Sequence, residues 1–117
     1  MRGIHEGVGT AGKRIGTVDG RYVHRGIDTT GPIVATLEGE KWLHEGLGTA
    51  GRCIATIQMG KYIHRGIGTA GTCIGTINGK YIHEGIGTSG PCIGTIDSTN
   101  RIEQLAGGAA LLLNLLI

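Results

Sequence analysis

Residues 61–96 read KYIHRGIGTAGTCIGTINGKYIHEGIGTSGPCIGTI, which is one short unit followed by a nearly identical copy. The main systematic difference is the residue after the histidine, which is Arg65 in the first copy and Glu84 in the second. Self-similarity at a period of roughly 20 residues is the signature of repeat architectures, in which each repeat is one small structural unit. The fold therefore depends on what one unit forms and on how neighbouring units associate.

The whole chain divides into six such units, each of roughly 20 residues. The first five share a basic residue, an aromatic or small residue, an aliphatic residue, His, a charged residue and Gly, followed by a second segment such as Cys-Ile-Gly-Thr-Ile. The sixth, NRIEQLAGGAALLLNLLI, is a degenerate apolar copy that is expected to end in a strand. The units begin near residues 2, 21, 41, 61, 80 and 100, and residues 1–117 are expected to form a single repeat domain.

Glycine spacing and β-branched residues predict an all-β repeat protein. Glycines recur at fixed places in the units, where bends need positive φ, and Asp19-Gly20 and Asn78-Gly79 are tight-turn dipeptides. The segments between the glycines are rich in Ile, Val and Thr and are too short for helices. The pattern favours a short β-solenoid with one unit per coil, and a β-trefoil-like arrangement of hairpins is the alternative.

A charge column follows the histidines, and its sign alternates from unit to unit. Opposite charges that face each other on adjacent strands contribute roughly 0.2–1 kcal/mol per pair, and like charges destabilise. Stacked coils would place equivalent residues next to each other, so the alternation favours the solenoid, although a threefold fold with two units per subdomain would also give a period of two. The charge column is Glu6, Arg25, Glu45, Arg65 and Glu84.

The histidine column could suggest metal binding, because neutral imidazole is the commonest metal ligand. A line of side chains does not give the four converging ligands that zinc needs, so a structural, hydrogen-bonded column is expected, with no metal and no cofactor. This column is His5, His24, His44, His64 and His83.

Three cysteines share another column, in which an earlier unit carries Ile33. No CxxC spacing is present, so buried structural thiols are expected rather than a catalytic nucleophile. Stacked coils would bring neighbouring cysteines within the distance that a disulfide accepts. The three are Cys53, Cys73 and Cys92.

Bulk properties restrict the function classes. The net charge of +2 and the three tyrosines and one tryptophan do not indicate nucleic-acid binding, and no unit differs from its neighbours in a way that would make it an enzyme active site. The longest apolar run, residues 109–117, is shorter than the roughly 20 residues that a membrane-spanning helix needs. The opening MRGIHEG lacks a secretory apolar stretch and the cysteine count is odd, so a cytoplasmic location is expected.

Aliphatic residues three positions apart, such as Ile54 and Ile57, would face opposite sides of a regular strand. Strands that are apolar on both faces are buried on both faces, so a second covering surface is implied unless a bulge at the intervening Gly or Ala restores the register. The sequence therefore predicts a non-enzymatic structural protein that self-assembles into a homo-oligomer or filament. The apolar segment expected to take part in assembly is Leu111, Leu112, Leu113, Leu115, Leu116 and Ile117.

A small carbohydrate-binding, lectin-like repeat protein is the alternative function. In this interpretation the His/Glu or His/Arg positions of successive units would form repeated shallow sugar sites.

Overall fold

The computed structural model describes residues 2–7, 13–26, 31–46, 48, 51–66, 68, 72–85, 87, 90–113 and 116. Within these residues each of the first five units contributes one short strand and one longer strand, and the sixth contributes a helix. The elements are β1 Arg2–Glu6, β2 Arg14–Asp19, β3 Tyr22–Arg25, β4 Ile33–Glu38, β5 Trp42–Glu45, β6 Cys53–Gln58, β7 Tyr62–Arg65, β8 Cys73–Asn78, β9 Tyr81–Glu84, β10 Cys92–Ile96 and α1 Arg101–Leu112.

The ten strands form a closed antiparallel barrel in which each strand pairs with its neighbours in sequence and β1 pairs with β10. The chain is an all-β repeat protein, but it forms a closed barrel rather than the expected solenoid, and of the trefoil-like alternative only the hairpins are present. A solenoid needs parallel stacking, whereas the tight turns here reverse the chain and pair each long strand with the following short strand. Gly20 and Gly79 supply the positive φ, +62° and +60°, that two-residue hairpin loops require.

Every long strand carries a bulge at its second residue. In the β5–β6 pair, Leu43 lies opposite Ala55 while His44 lies opposite Cys53, so Ile54 is the extra residue. The same shift occurs where β1, β3, β7 and β9 meet their long partners. The bulge turns Ile54 toward the same interior as Ile57, so both aliphatic columns contribute to one core.

The sixth unit is a helix inside the barrel and not the expected strand. Asn100 caps it by accepting hydrogen bonds from the backbone N–H groups of Ile102 and Glu103. The run from Leu105 to Ala110 is fully buried, and a Cβ on Gly108 would lie 2.7 Å from Cδ1 of Ile82. The small residues in the middle of the helix allow it to pack closely against the barrel wall.

The beginning of α1 is fixed to the turns of the barrel. Glu103 is buried, and its carboxylate accepts hydrogen bonds from the backbone N–H of Gly20, at 2.9 Å, and from the hydroxyl of Ser98, at 2.6 Å. Arg101 forms an ion pair of 2.8 Å with Glu40 in another turn. The helix therefore begins at the end of the barrel that carries the tight turns, here called the turn end, and finishes at the opposite, loop end.

The C-terminal leucines, expected to form an assembly surface, pack within their own chain. Leu111 is 8% exposed and Leu116 is 5% exposed, and both belong to the core with Leu112 and Leu113 partly buried against it. Leu115 and Ile117 lie outside the described residues. No helix in the described part of the chain has the length and apolar character needed to cross a membrane.

Candidate binding site on the outer face of the barrel

The members of the charge column do not lie on adjacent strands, as the expected ion pairs would require. Glu45 lies opposite Ala35 and Arg65 lies opposite Ala55, since a long strand separates each member of the column from the next. Consecutive members are therefore about 10 Å apart, two strand spacings. The expectation that Arg65 directly faces Glu45 and Glu84 is wrong because hairpins place the short strands in alternate positions around the barrel.

The histidines lie on the short strands, and their rings form hydrogen bonds with the loops of the same unit. Nδ1 of His24, His44 and His83 donates to the carbonyl oxygens of Gly31, Gly51 and Gly90, in each case at 2.9 Å. Each of these imidazoles is therefore fixed between its own strand and the glycine at the end of the following loop. Among the described residues, no three His, Cys, Asp or Glu side chains converge as a group that could hold a metal ion.

The cysteines open the long strands β6, β8 and β10, with a short strand between each pair. Their Cα atoms are therefore about 10 Å apart, which exceeds the roughly 7 Å limit for a disulfide, so the expected bridges between neighbouring cysteines cannot form. The thiol of Cys53 donates to the carbonyl of Ala55 at 3.4 Å, and burial raises the pKa of this thiol. Its strand neighbour His44 has both ring nitrogens in other hydrogen bonds, so it is not placed to activate the thiol.

The outer face carries a repeated pair that combines an acidic or amide side chain with an aromatic ring. The first member ends a long strand and the second opens the following short strand. Leu43 faces the core, so strand alternation directs Trp42 and His44 outward. The cross-strand partners, called here the outer pairs, are Asp19 with Tyr22, Glu38 with Trp42, Gln58 with Tyr62, and Asn78 with Tyr81.

One outer pair borders a defined groove. Gln58, Tyr62, His64 and Cys73 line a groove of about 180 Å³, in which Nε2 of His64 lies 2.8 Å from Oε1 of Gln58. Lys61 places its ammonium group 5.3 Å from the centre of the Tyr62 ring. The groove therefore combines an aromatic surface and an amide, and a cation lies beside the aromatic ring.

The first unit departs from this arrangement at two positions together. Gly3 stands where other units have the aromatic residue, and Arg14 stands where three units have cysteine. A Cβ on Gly3 would lie 2.9 Å from Nε of Arg14 and 2.9 Å from Nε2 of His5. The arginine therefore occupies the space of the missing aromatic ring, and the outer pairs lie at the four hairpins that join a long strand to the following short strand.

Sequence reasoning did not identify the outer pairs, because it treated the tyrosines and the tryptophan as one aromatic residue per unit. Their fixed position directly after an acidic or amide residue and a turn was the available signal. This signal becomes informative only when the turn is known to be a hairpin, since only a hairpin places the aromatic residue and the acidic or amide residue side by side on one face.

The Glu38–His44 pair gives the second outer pair a pH-dependent charge. Nε2 of His44 lies 2.7 Å from Oε1 of Glu38. The pKa of His44 is raised, chiefly by its hydrogen bond to the Gly51 carbonyl and also by Glu38, against an opposing effect of burial. The next unit has Gln58 in place of Glu38, so its Gln58–His64 contact is a neutral counterpart of the Glu38–His44 pair.

Replacing Glu38 with Gln is expected to lower the pKa of His44, since the adjacent negative charge is removed. The raised pKa stabilises the folded state below the unfolded-state pKa of about 6.5, and this stabilisation is lost as pH rises through the folded-state pKa. The difference in unfolding free energy between the original chain and E38Q should therefore be largest near pH 6 and shrink at higher pH. Histidine NMR titration and denaturation at several pH values measure both effects, with Gln58→Glu as the reciprocal variant. An unchanged His44 pKa in E38Q would contradict the pairing.

Comparison with known proteins identifies a family. Residues 4–114 match a family model described as a 6-fold beta flower protein, and this span is nearly the whole chain. No curated protein and no solved structure shows significant similarity to the chain. In this chain five units form the wall of the barrel and the sixth forms the central helix. The repeat pattern and the matched span together establish that the chain belongs to the 6-fold beta flower protein family.

Proposed function

We propose that the chain is a non-enzymatic carbohydrate-binding protein whose outer pairs form up to four shallow sugar sites. The observation that carries the proposal is the repeated placement of an acidic or amide side chain directly beside an aromatic ring on the outer face. Carboxylate and amide oxygens accept hydrogen bonds from hydroxyl groups, and aromatic rings cover apolar surface. A sugar ring offers both kinds of surface, since its hydroxyl groups lie around an apolar C–H face.

The accessibility of the outer pairs supports binding at the surface. Tyr22 is 37% exposed and Tyr81 is 42% exposed, whereas the aliphatic residues beside them in the strands are buried. Lys41 places its ammonium group 4.9 Å from the centre of the Trp42 ring, which adds a hydrogen-bond donor beside the aromatic surface. An exposed ring with polar groups at its edge is suited to a polar, ring-shaped ligand.

Repetition supports the proposal in a second way. Neighbouring outer pairs are separated by two strand spacings, about 10 Å, on a closed barrel with a helical core. Linked weak sites raise the apparent affinity for a ligand that presents several copies of the same sugar, provided that the geometry allows simultaneous contact. A rigid arrangement of equivalent shallow sites is therefore suited to branched or repetitive glycans.

We favour sugar binding over self-assembly because the apolar residues that suggested assembly pack against other residues of the same chain. The bulges direct both aliphatic columns into the barrel, and Leu111 and Leu116 are buried in the core. Assembly remains a prediction of the sequence, and light scattering of the purified chain would measure the number of copies.

Trp42 is the sole tryptophan of the chain and belongs to an outer pair, so its fluorescence can test the proposal. Titration with methyl glycosides of glucose, galactose, mannose and N-acetylglucosamine should give a saturable emission change with at least one sugar. The variant Glu38→Ala should weaken that change at least 5-fold, because it removes a hydrogen-bond acceptor. Met59→Ala should leave it unaltered, since Met59 is 76% exposed in a turn between other strands.

Calorimetry with the same sugars measures the sites that lack tryptophan, and a glycan array extends the test to larger ligands. Saturable binding that the substitution Tyr62→Ala reduces would support sites at the outer pairs. Absence of saturable binding in fluorescence, calorimetry and the array would overturn the proposal.

A further inference from the structure

A second cavity lies at the loop end of the barrel, away from the outer pairs. Its volume is about 430 Å³, which is within the usual range of roughly 300–1,000 Å³ for small-molecule sites. It is formed where β5 and β7 end, β6 begins and α1 finishes. The lining residues are Glu45, Arg52, Cys53, Ile54, Arg65, Gly66 and Leu113.

The cavity has an apolar portion supplied by two elements. Ile54 is the bulged residue of β6 and is partly buried against the core. Leu113 follows the last turn of α1 and is also partly buried. The side chains of Ile54 and Leu113 both line the cavity, so they offer apolar contact to a ligand that enters it.

The charged portion of the cavity has an excess of one positive charge, from Arg52 and Arg65 against Glu45. Arg52 lies 3.5 Å from Glu45, but the two side chains are 76% and 49% exposed, so their ion pair is weak and open to exchange. No ion pair to the Arg65 side chain is present among the described residues. An incoming anion therefore meets one guanidinium group that does not form an ion pair with any acidic side chain of the described residues, since Glu45 pairs with Arg52.

Comparison of the units shows that a basic residue at the position of Arg52 is not a general feature of the repeat. The residue equivalent to Arg52 is Pro32, Thr72 and Pro91 in three other units and Lys13 in the first. The equivalent position between β7 and β9 has Arg65 and Glu84 without a second basic residue from the intervening residues 66–72. A cavity with two arginines is a local property and does not follow from the repeat alone.

We propose that this cavity binds a small molecule that has one carboxylate and a short apolar chain. The guanidinium of Arg65 would bind the carboxylate, because arginine presents paired N–H donors that match carboxylate geometry. Arg52 adds positive charge, and Ile54 and Leu113 contact the apolar chain. This site is separate from the outer pairs and does not depend on sugar binding.

The test uses octanoate as the probe and the full chain as the receptor. Calorimetry should show saturable binding of octanoate with one site per chain, and octanol should bind at least 10-fold more weakly because it lacks the carboxylate. Arg65→Gln should weaken octanoate binding at least 10-fold, and Arg65→Lys should retain part of the affinity. Lys80→Gln, which removes the same charge at the turn end, should change it less than 2-fold.

Thermal melts of each variant establish that the barrel is folded under the conditions of the titration. Amide NMR shifts caused by octanoate should be concentrated around Ile54, Arg65 and Leu113. Failure of octanoate to bind, equal binding of octanol, or equal losses in R65Q and K80Q would each overturn the proposal. Because sugar binding is measured at other residues, the result is independent of the outcome for the outer pairs.

Discussion

Truncation of the chain after Ala110 is expected to abolish cooperative folding. The deletion removes Leu111 and Leu116, which are 8% and 5% exposed in the barrel core. Removing the side chain of one buried leucine costs about 2–5 kcal/mol, so the loss of two approaches the whole stability of about 5–15 kcal/mol that is typical of a domain. The surrounding wall cannot collapse into the space, because its strands are held by pairing on both sides around the closed barrel.

The shape of the wall around these leucines supports a large effect. Gly16 lies against Leu116, and a Cβ at that glycine would be 2.8 Å from a methyl carbon of the leucine. Gly94 and Gly75 lie in the same way against Leu111 and Leu112. Each of these leucines therefore fills a space that exists because the opposite wall residue has no side chain.

Circular dichroism melts and light scattering distinguish this expectation from the assembly prediction. Leu111→Ala should lower the melting temperature without changing the number of copies, and Met59→Ala, at a position 76% exposed, should change neither. A truncated chain that keeps its melting temperature but forms a smaller oligomer would show that the C-terminal segment is an assembly surface and would contradict its role as core.

Replacing Gly51 with Ala is expected to destabilise the fold by about 3 kcal/mol, the upper part of the range for overpacking. A Cβ at this position would overlap the backbone carbonyl oxygen of Glu45. That oxygen cannot move freely, because the N–H of Glu45 is bonded to the carbonyl of Arg52 at 2.9 Å. The carbonyl of Gly51 also accepts the hydrogen bond from His44, so relief of the overlap would break that contact.

The adjacent substitution Arg52→Ala is the matched control, since the Arg52 side chain is 76% exposed and its removal should change stability by less than about 0.5 kcal/mol. Urea denaturation of both variants gives the two free energies. Gly31 and Gly90 make the same close approach to Arg25 and Glu84, so their alanine variants should show similar losses. Equal stability of G51A and the original chain would contradict the close approach of loop and strand.

The odd number of hairpin units explains a feature of the charge column. Five units form the wall here, and an alternation of two signs cannot close around a ring with an odd number of positions. Glu84 and Glu6 therefore both border β10, where the last unit meets the first. The sixth position of the repeat, Gln104, is uncharged and lies in the helix.

Much of the local structure was predictable from sequence. The repeat boundaries, the short strands, the glycine corners and the turns at Asp19-Gly20 and Asn78-Gly79 follow from β-branched residues, glycine and the hairpin preferences of those dipeptides. The outer pairs were present in the sequence as well, because the aromatic residue always follows the acid or amide across a turn of two or three residues.

The association of the units was not predictable in the same way. Alternating Glu and Arg fit stacked coils and also fit short strands separated by long ones, so the charge column could not distinguish a solenoid from a barrel. The final unit shows the same difficulty, since AGGAALLLNLLI is apolar enough for a buried strand or a buried helix. The Asn100 cap and the confined interior of the closed barrel favour the helix.

By itself, the sequence determined the repeat, the strands, the turns and the residue types available on each unit, because these depend on interactions between neighbours along the chain. Only the tertiary structure decided that β1 closes on β10, that α1 fills the barrel and that Arg52 and Arg65 share a cavity with Leu113. These features depend on contacts between residues far apart in sequence, whose free energy is gained only when all five units and the helix come together.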